Sequence, residues 1–254
     1  MTLGYDRCGA GRPLVLVHSL GTDRCVWHPV LDRLSGTRDV IALDLPGFGE
    51  SPSLDVEPTP RALAEAVSSF LSGLGVSRPA VAGNSLGGWV ALELGLSGVA
   101  SSVTAIAPAG LWPRALPPKP SIARDIARAA TPVLAAALST ARGRRLALGA
   151  TMAHPERVPR EDALRLVRAY AAAPGYDAVN AAMRAGRFAA LDRLRVPLTF
   201  GWPDRDRLVA RPAHLPATAR NVVLHDCGHV PMWDSPEQVA SLLLTGSADR
   251  RVAA

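Results

Sequence analysis

A chain of 254 residues, 48% hydrophobic and 20% charged, is long enough to bury roughly 70–75% of its unfolded surface around one core, so it needs no covalent staples. Its three cysteines, Cys8, Cys25 and Cys227, are odd in number and lack metal-type spacing, which argues against a disulfide framework or zinc site and for a reducing compartment. The net charge of +6 rests on dispersed arginines, with Lys119 the only lysine and no aromatic interleaving, which argues against a nucleic-acid partner. Met1 to Gly11 shows no basic region followed by an apolar core, and no uncharged apolar run approaches about 18 residues. The expectation is a soluble, cytoplasmic protein with no membrane partner.

Leu3 to Arg7 reads as a short strand, and Pro13 to His18 as the apolar run of a buried parallel strand that ends in His18-Ser19-Leu20-Gly21. A helix is expected over Val26 to Leu34 and a strand over Val40 to Leu43. The loop Asp44-Leu45-Pro46-Gly47-Phe48-Gly49-Glu50-Ser51 follows. Thr59 and Pro60 open a helix whose Leu63, Val67, Phe70, Leu71 and Leu74 share one face. A further strand spans Val103 to Ile106. This alternation calls for a mainly parallel sheet with helices on both faces.

From Leu111 to about Leu191 the rhythm changes to alanine-rich helical runs, Ser121 to Ala130, Pro132 to Ala141, Pro159 to Ala172 and Asp177 to Ala185, divided by Pro and Gly. Residues 111–191 therefore read as a helical insertion in a core formed by 1–110 and 192–254. Strands return at Pro197 to Phe200 and Val222 to Leu224. Ser235 and Gln238 have the spacing of a capping box for a last helix, and a frayed tail is expected after Thr245.

The chemistry centres on Pro79 to Val90, PAVAGNSLGGWV. A strand enters Gly83-Asn84-Ser85-Leu86-Gly87 and a helix leaves it, and a turn this sharp tolerates no Cβ two residues either side of Ser85. Ser85 then stands at the tip beside a helix N-terminus, placed to attack a carbonyl. A hydroxyl needs a base, and the base an acid. The last strand runs into His225-Asp226-Cys227-Gly228-His229, and the one before it into Gly201-Trp202-Pro203-Asp204-Arg205-Asp206, giving the order Ser, Asp, His.

With these motifs in place, the sequence resembles the α/β-hydrolase family, in particular its lidded bacterial members, from Leu3 to Leu244. The resemblance rests on PLVLVHSLG, DLPGFGES, GNSLGGW and GHVPMWDSPE, in that order. It implies an α/β-hydrolase fold with a helical cap over 111–191, a Ser85 nucleophile, a His229 base, and oxyanion donors at the backbone N–H groups of Leu20 and Leu86. The acid is Asp206 or Asp204: Trp202, Asp206, Arg207, Leu208 and Val209 fit the family's pattern with Pro203 in place of its Gly, while counting from Gly201 selects Asp204, and Asp206 is favoured. Ser19 stands where the family usually has Gly.

Ser19, Trp112, Met152, Tyr170, Met183, Phe188 and Val230 are candidates to line a substrate pocket, although apolar residues at helical spacing also serve plain packing. His18, His28, His154, His214 and His225 are expected to be structural or surface residues, and Asp44 and Asp226 to stabilise loops.

The reading is a serine hydrolase acting on a small or medium, largely apolar carboxylic ester through an acyl-enzyme on Ser85. Carbon–carbon bond hydrolases of aromatic degradation, enol-lactonases and cofactor-free perhydrolases resemble this pattern too. The resemblance implies that serine at the elbow excludes the dehalogenase and epoxide-hydrolase subgroups, which use aspartate there. A ligand-binding protein that kept the fold without turnover is the alternative from another class. No metal or organic cofactor is implied, and oligomeric state is not legible.

Overall fold

The computed structural model describes residues 1–119 and 122–248. The chain opens with β1 (Tyr5–Gly9), β2 (Arg12–Val17), α1 (His28–Ser35) and β3 (Arg38–Leu43), and continues through α2 (Pro60–Gly73), β4 (Ala80–Asn84), α3 (Leu86–Leu96) and β5 (Ser102–Ile106). Helices follow in succession: α4 (Ile122–Ala129), α5 (Leu134–Leu138), α6 (Ala141–Leu148), α7 (Arg160–Ala172) and α8 (Tyr176–Ala185). Then come β6 (Leu198–Pro203), β7 (Arg220–Leu224) and α9 (Pro236–Gly246).

The strands form one seven-stranded sheet in the order β1-β3-β2-β4-β5-β6-β7. Among the described residues only the β1–β3 pairing is antiparallel. Alternating side chains divide the core, as strand geometry requires. Val15, Val17, Ile41, Leu43, Val81 and Val103 face the α2–α3 side, while Leu14, Leu16, Val40, Ala42 and Ala82 face α1 and α9. β2 and β4 are adjacent, with Val17 opposite Gly83, and the chain winds outward from them in both directions. That is the switch point at which open α/β sheets place their ligands.

Thr59 caps α2 by accepting from Ala62 N–H at 3.1 Å, and Leu63, Val67, Phe70 and Leu71 are its buried stripe. The remaining strand and helix expectations are met within a few residues at their ends.

Two local expectations are corrected. Ser235 makes no side-chain cap bond to α9. Gln238 instead brackets His225, accepting from its N–H and donating to its carbonyl, both at 2.9 Å, and so joins α9 to the end of β7. The helix expected over Pro132 to Ala141 breaks into a 3₁₀ turn at Thr131–Val133, the short α5, and a fresh start at Ala141. The cause is Thr140, whose hydroxyl accepts from Gly143 N–H at 3.0 Å and caps a helix that the polar run Arg142 to Arg145 had hidden. Ser121 and the tail from 249 lie outside the described residues.

Candidate active site

Ser85 sits between the last residue of β4 and the first of α3, with φ 54° and ψ −114°. A non-glycine residue held there stores strain of about 1–3 kcal/mol, so the surroundings must impose it. The Ser85 N–H donates to Ile106 O at 2.9 Å, and its carbonyl accepts from Trp89 and Ala109 N–H at 3.1 and 3.0 Å. A Cβ on Gly83 would lie 2.0 Å from Gly87 O, and one on Gly87 would lie 2.1 Å from Val17 O, which explains both glycines. Leu86 is the first helical residue, so its N–H has no intrahelical acceptor.

His229 and Asp206 come together across two loops. His229 Nδ1 lies 2.7 Å from Asp206 Oδ2, and the two side chains are only 6% and 4% exposed. A carboxylate only accepts, so Nδ1 donates to it, which is the tautomer that puts the lone pair of a neutral ring on Nε2. The other Asp206 oxygen accepts from Leu208 and Val209 N–H at 2.7 and 3.1 Å, which fixes the carboxylate in its own turn. Asp204 points elsewhere, with Oδ1 accepting from Cys227 N–H at 3.3 Å and Oδ2 lying 3.4 Å from the exposed His225 ring. The geometry therefore joins Asp206, not Asp204, to His229.

Among the described residues the Ser85 hydroxyl makes no hydrogen bond, so none joins it to His229 here. The nucleophile turn and the histidine loop are joined instead by Asn84, whose Nδ2 donates to His229 O at 3.0 Å. Cys227, two residues before His229, is no rival nucleophile, because burial pushes its thiol up to about 12.

The end of β2 and the loop after it lie against the nucleophile turn, where a Cβ on Gly87 would meet Val17 O and His18 O. His18 is fully buried, and its Nε2 accepts from Leu45 N–H at 2.9 Å while Nδ1 donates to Ser19 O at 2.8 Å. Burial lowers its pKa, so a neutral ring ties this loop to the one after β3. Ser19 is 3% exposed and its hydroxyl is bonded to Thr22 Oγ1 at 3.1 Å, so that group is engaged within the loop. The Leu20 N–H has no hydrogen-bond partner among the described residues. Asp44 behaves as a loop-stabilising carboxylate: it accepts from Arg24 and Glu50 N–H at 2.8 and 2.9 Å and pairs with the Arg24 guanidinium.

The α4–α8 segment touches the loops after β2, β3 and β7. Tyr170 and Tyr176 pack edge to face, with centroids 5.2 Å apart, and both rings lie over Gly21, where a Cβ would meet Tyr170 at 2.7 Å and Tyr176 at 3.0 Å. The buried Arg124 fixes them: it donates to Tyr170 O at 3.2 Å, to Ala173 O and to Asp177 Oδ2, and it stands over the Tyr176 ring. Gly175 N–H donates to Gly47 O at 2.9 Å, and Val230 N–H to Thr151 O at 2.8 Å.

Trp112, Met183 and Phe188 pack with Trp89 and Leu86 in one apolar cluster, with Trp112 edge-on to Trp89. Met152 and Val230 belong to the other cluster, so the candidate pocket residues stand on two sides. Ser85 and His229 are only 7% and 5% exposed.

Asp234, which sequence reasoning passed over, stitches this cover to the histidine loop. Its carboxylate, 7% exposed, accepts from Gly228 N–H at 2.8 Å, Ala153 N–H at 2.9 Å and His154 N–H at 2.8 Å. Asp234→Ala strands one buried and two part-buried donors and should cost about 3 kcal/mol. At this size that lowers Tm by roughly 6–12 °C in a calorimetric scan. An unchanged Tm would mean that solvent reaches those N–H groups.

The sequence profile of the alpha/beta hydrolase family matches residues 14–242. An epoxide hydrolase of Mycobacterium tuberculosis is 36% identical over 198 residues, 71% of this chain and 91% of that protein. A pimeloyl-[acyl-carrier protein] methyl ester esterase of Aeromonas hydrophila is 40% identical over 98 residues, which are 38% of this chain and only 37% of that protein. The enol-lactonase from Burkholderia xenovorans superposes with a TM-score of 0.75 at 22% identity, covering 96% of this chain and 94% of that one. The profile match and the M. tuberculosis relative each extend over most of the chain, and the fold agrees with both: this protein belongs to the alpha/beta hydrolase family.

Proposed function

We propose that this protein is a serine hydrolase that cleaves a small or medium, largely apolar carboxylic ester through an acyl-enzyme on Ser85. The observation that carries the reading is the buried His229–Asp206 pair, held on loops at the same sheet edge as a strained Ser85. In this mechanism Ser85 Oγ attacks the carbonyl carbon and His229 Nε2 takes its proton, while Asp206 stabilises the imidazolium. The Leu20 and Leu86 N–H groups receive the developing oxyanion, each worth about 3 kcal/mol. His229 then gives the proton to the leaving alcohol, and water repeats the sequence to release the acid. Free enzymes commonly hold nucleophile and base loosely until substrate arrives, which accommodates the unbonded Ser85 hydroxyl.

Residues 111–191 act as a lid in this reading. With Ser85 and His229 so little exposed, substrate enters when the tyrosine pair moves off Gly21, and closure then excludes water. The apolar side chains of Trp112, Met183 and Phe188 favour an apolar acyl or alkyl group.

A second reading, epoxide opening, draws on the M. tuberculosis relative's name. Chemistry weighs against it. Attack by a serine hydroxyl on an epoxide carbon would leave an ether, which has no carbonyl through which activated water could release the product. A panel of p-nitrophenyl esters, an enol lactone, a ring-cleavage dienoic ketone and an aryl epoxide separates the readings. The expected result is ester turnover highest with short and medium apolar acyl groups. Epoxide turnover with the esters untouched would contradict the proposal.

A further inference from the structure

Resting on that reading of Ser85 and His229, we infer that Asn84 is a positioning residue that sets the distance between nucleophile and base. Asn84 is fully buried, and its amide donates to His229 O at 3.0 Å and to Ile106 O at 3.2 Å. Ile106 O also accepts the Ser85 N–H at 2.9 Å. One side chain, a peptide bond away from the nucleophile, thus holds the main chain of the base to the frame that holds the nucleophile. Among the described residues no other hydrogen bond joins the turn at 83–89 to the loop at 225–233.

The amide is a poor choice for packing alone. Among the described residues its Oδ1 is buried without a hydrogen-bond partner, a loss that an apolar side chain of similar volume would avoid. Such departures from local optimality concentrate where function constrains a residue. His229 is held at its ring by Asp206 and at its carbonyl by Asn84, and the two restraints together fix the base relative to the turn that carries Ser85.

The test compares Asn84→Leu, which keeps the volume and removes the donors, with Asn84→Gln, which keeps an amide, on a p-nitrophenyl ester. Asn84→Ala serves as companion should the leucine fail to fold. A misplacement of about 1 Å costs on the order of 100-fold, so the leucine variant should lose about that in kcat with KM unchanged, and glutamine should recover part of it. Wild-type kcat in the leucine variant would overturn the proposal, as would a loss confined to KM. Equal losses in the leucine and glutamine variants that track losses in Tm would assign a packing role and overturn it too. Inactive wild-type protein would overturn the hydrolase reading and this inference with it, whereas an active wild type with an unimpaired leucine variant overturns this inference alone.

Discussion

Ser85→Ala is expected to lower kcat on esters by about a million-fold, with the fold intact. The nucleophile cannot be shared out: triad members act as a unit, and losing the serine costs nearly what losing all three does. Residual turnover above the uncatalysed rate should persist, because the Leu20 and Leu86 N–H groups and the apolar site remain. Alanine is as poorly suited as serine to φ 54°, so stability should hardly change. Ser85→Gly, in contrast, relieves the strain and should gain about 1 kcal/mol while also abolishing turnover. Stability that rises as activity vanishes would identify the strain as functional. Full ester turnover in Ser85→Ala would refute the acyl-enzyme.

The two aspartates should separate by orders of magnitude. Asp206→Asn keeps the shape but lets the amide donate to His229, favouring the wrong tautomer, and should cost about ten-thousand-fold in kcat. Asp204→Asn loosens a loop contact to Cys227 and His225, outside the His229 pair, and should leave kcat within a few fold. Steady-state kinetics of the two variants side by side decide the matter, and the reverse order would move the acid to Asp204.

The core could be read from the sequence because its signals are local. Glycines flanking Ser85, Pro60 after Thr59, and apolar strand runs each fix backbone geometry within a few residues. The acid was ambiguous because a one-register slip exchanges Asp204 and Asp206. What separates them is peptide N–H groups of Leu208 and Val209 cradling one carboxylate, which no pattern displays. In the α4–α8 segment, alanine satisfies helix propensity without marking breaks. The start of α6 therefore depends on one threonine hydroxyl, with Arg144 binding Leu138 O and Glu156 O to secure it. Asn84 and Asp234 went unremarked for a related reason. Both are polar residues inside apolar motifs, and their most distant partners are backbone atoms 145 and about 80 positions away.

Mass spectrometry of the folded protein after exposure to a fluorophosphonate weighs most directly on whether these loops make a working nucleophile. The account predicts one phosphonyl adduct, mapped to the peptide carrying Ser85, with labelling slowed by Asp206→Asn and unaffected by Asp204→Asn. Folded protein that stays unlabelled, or an adduct on any other residue, would contradict it.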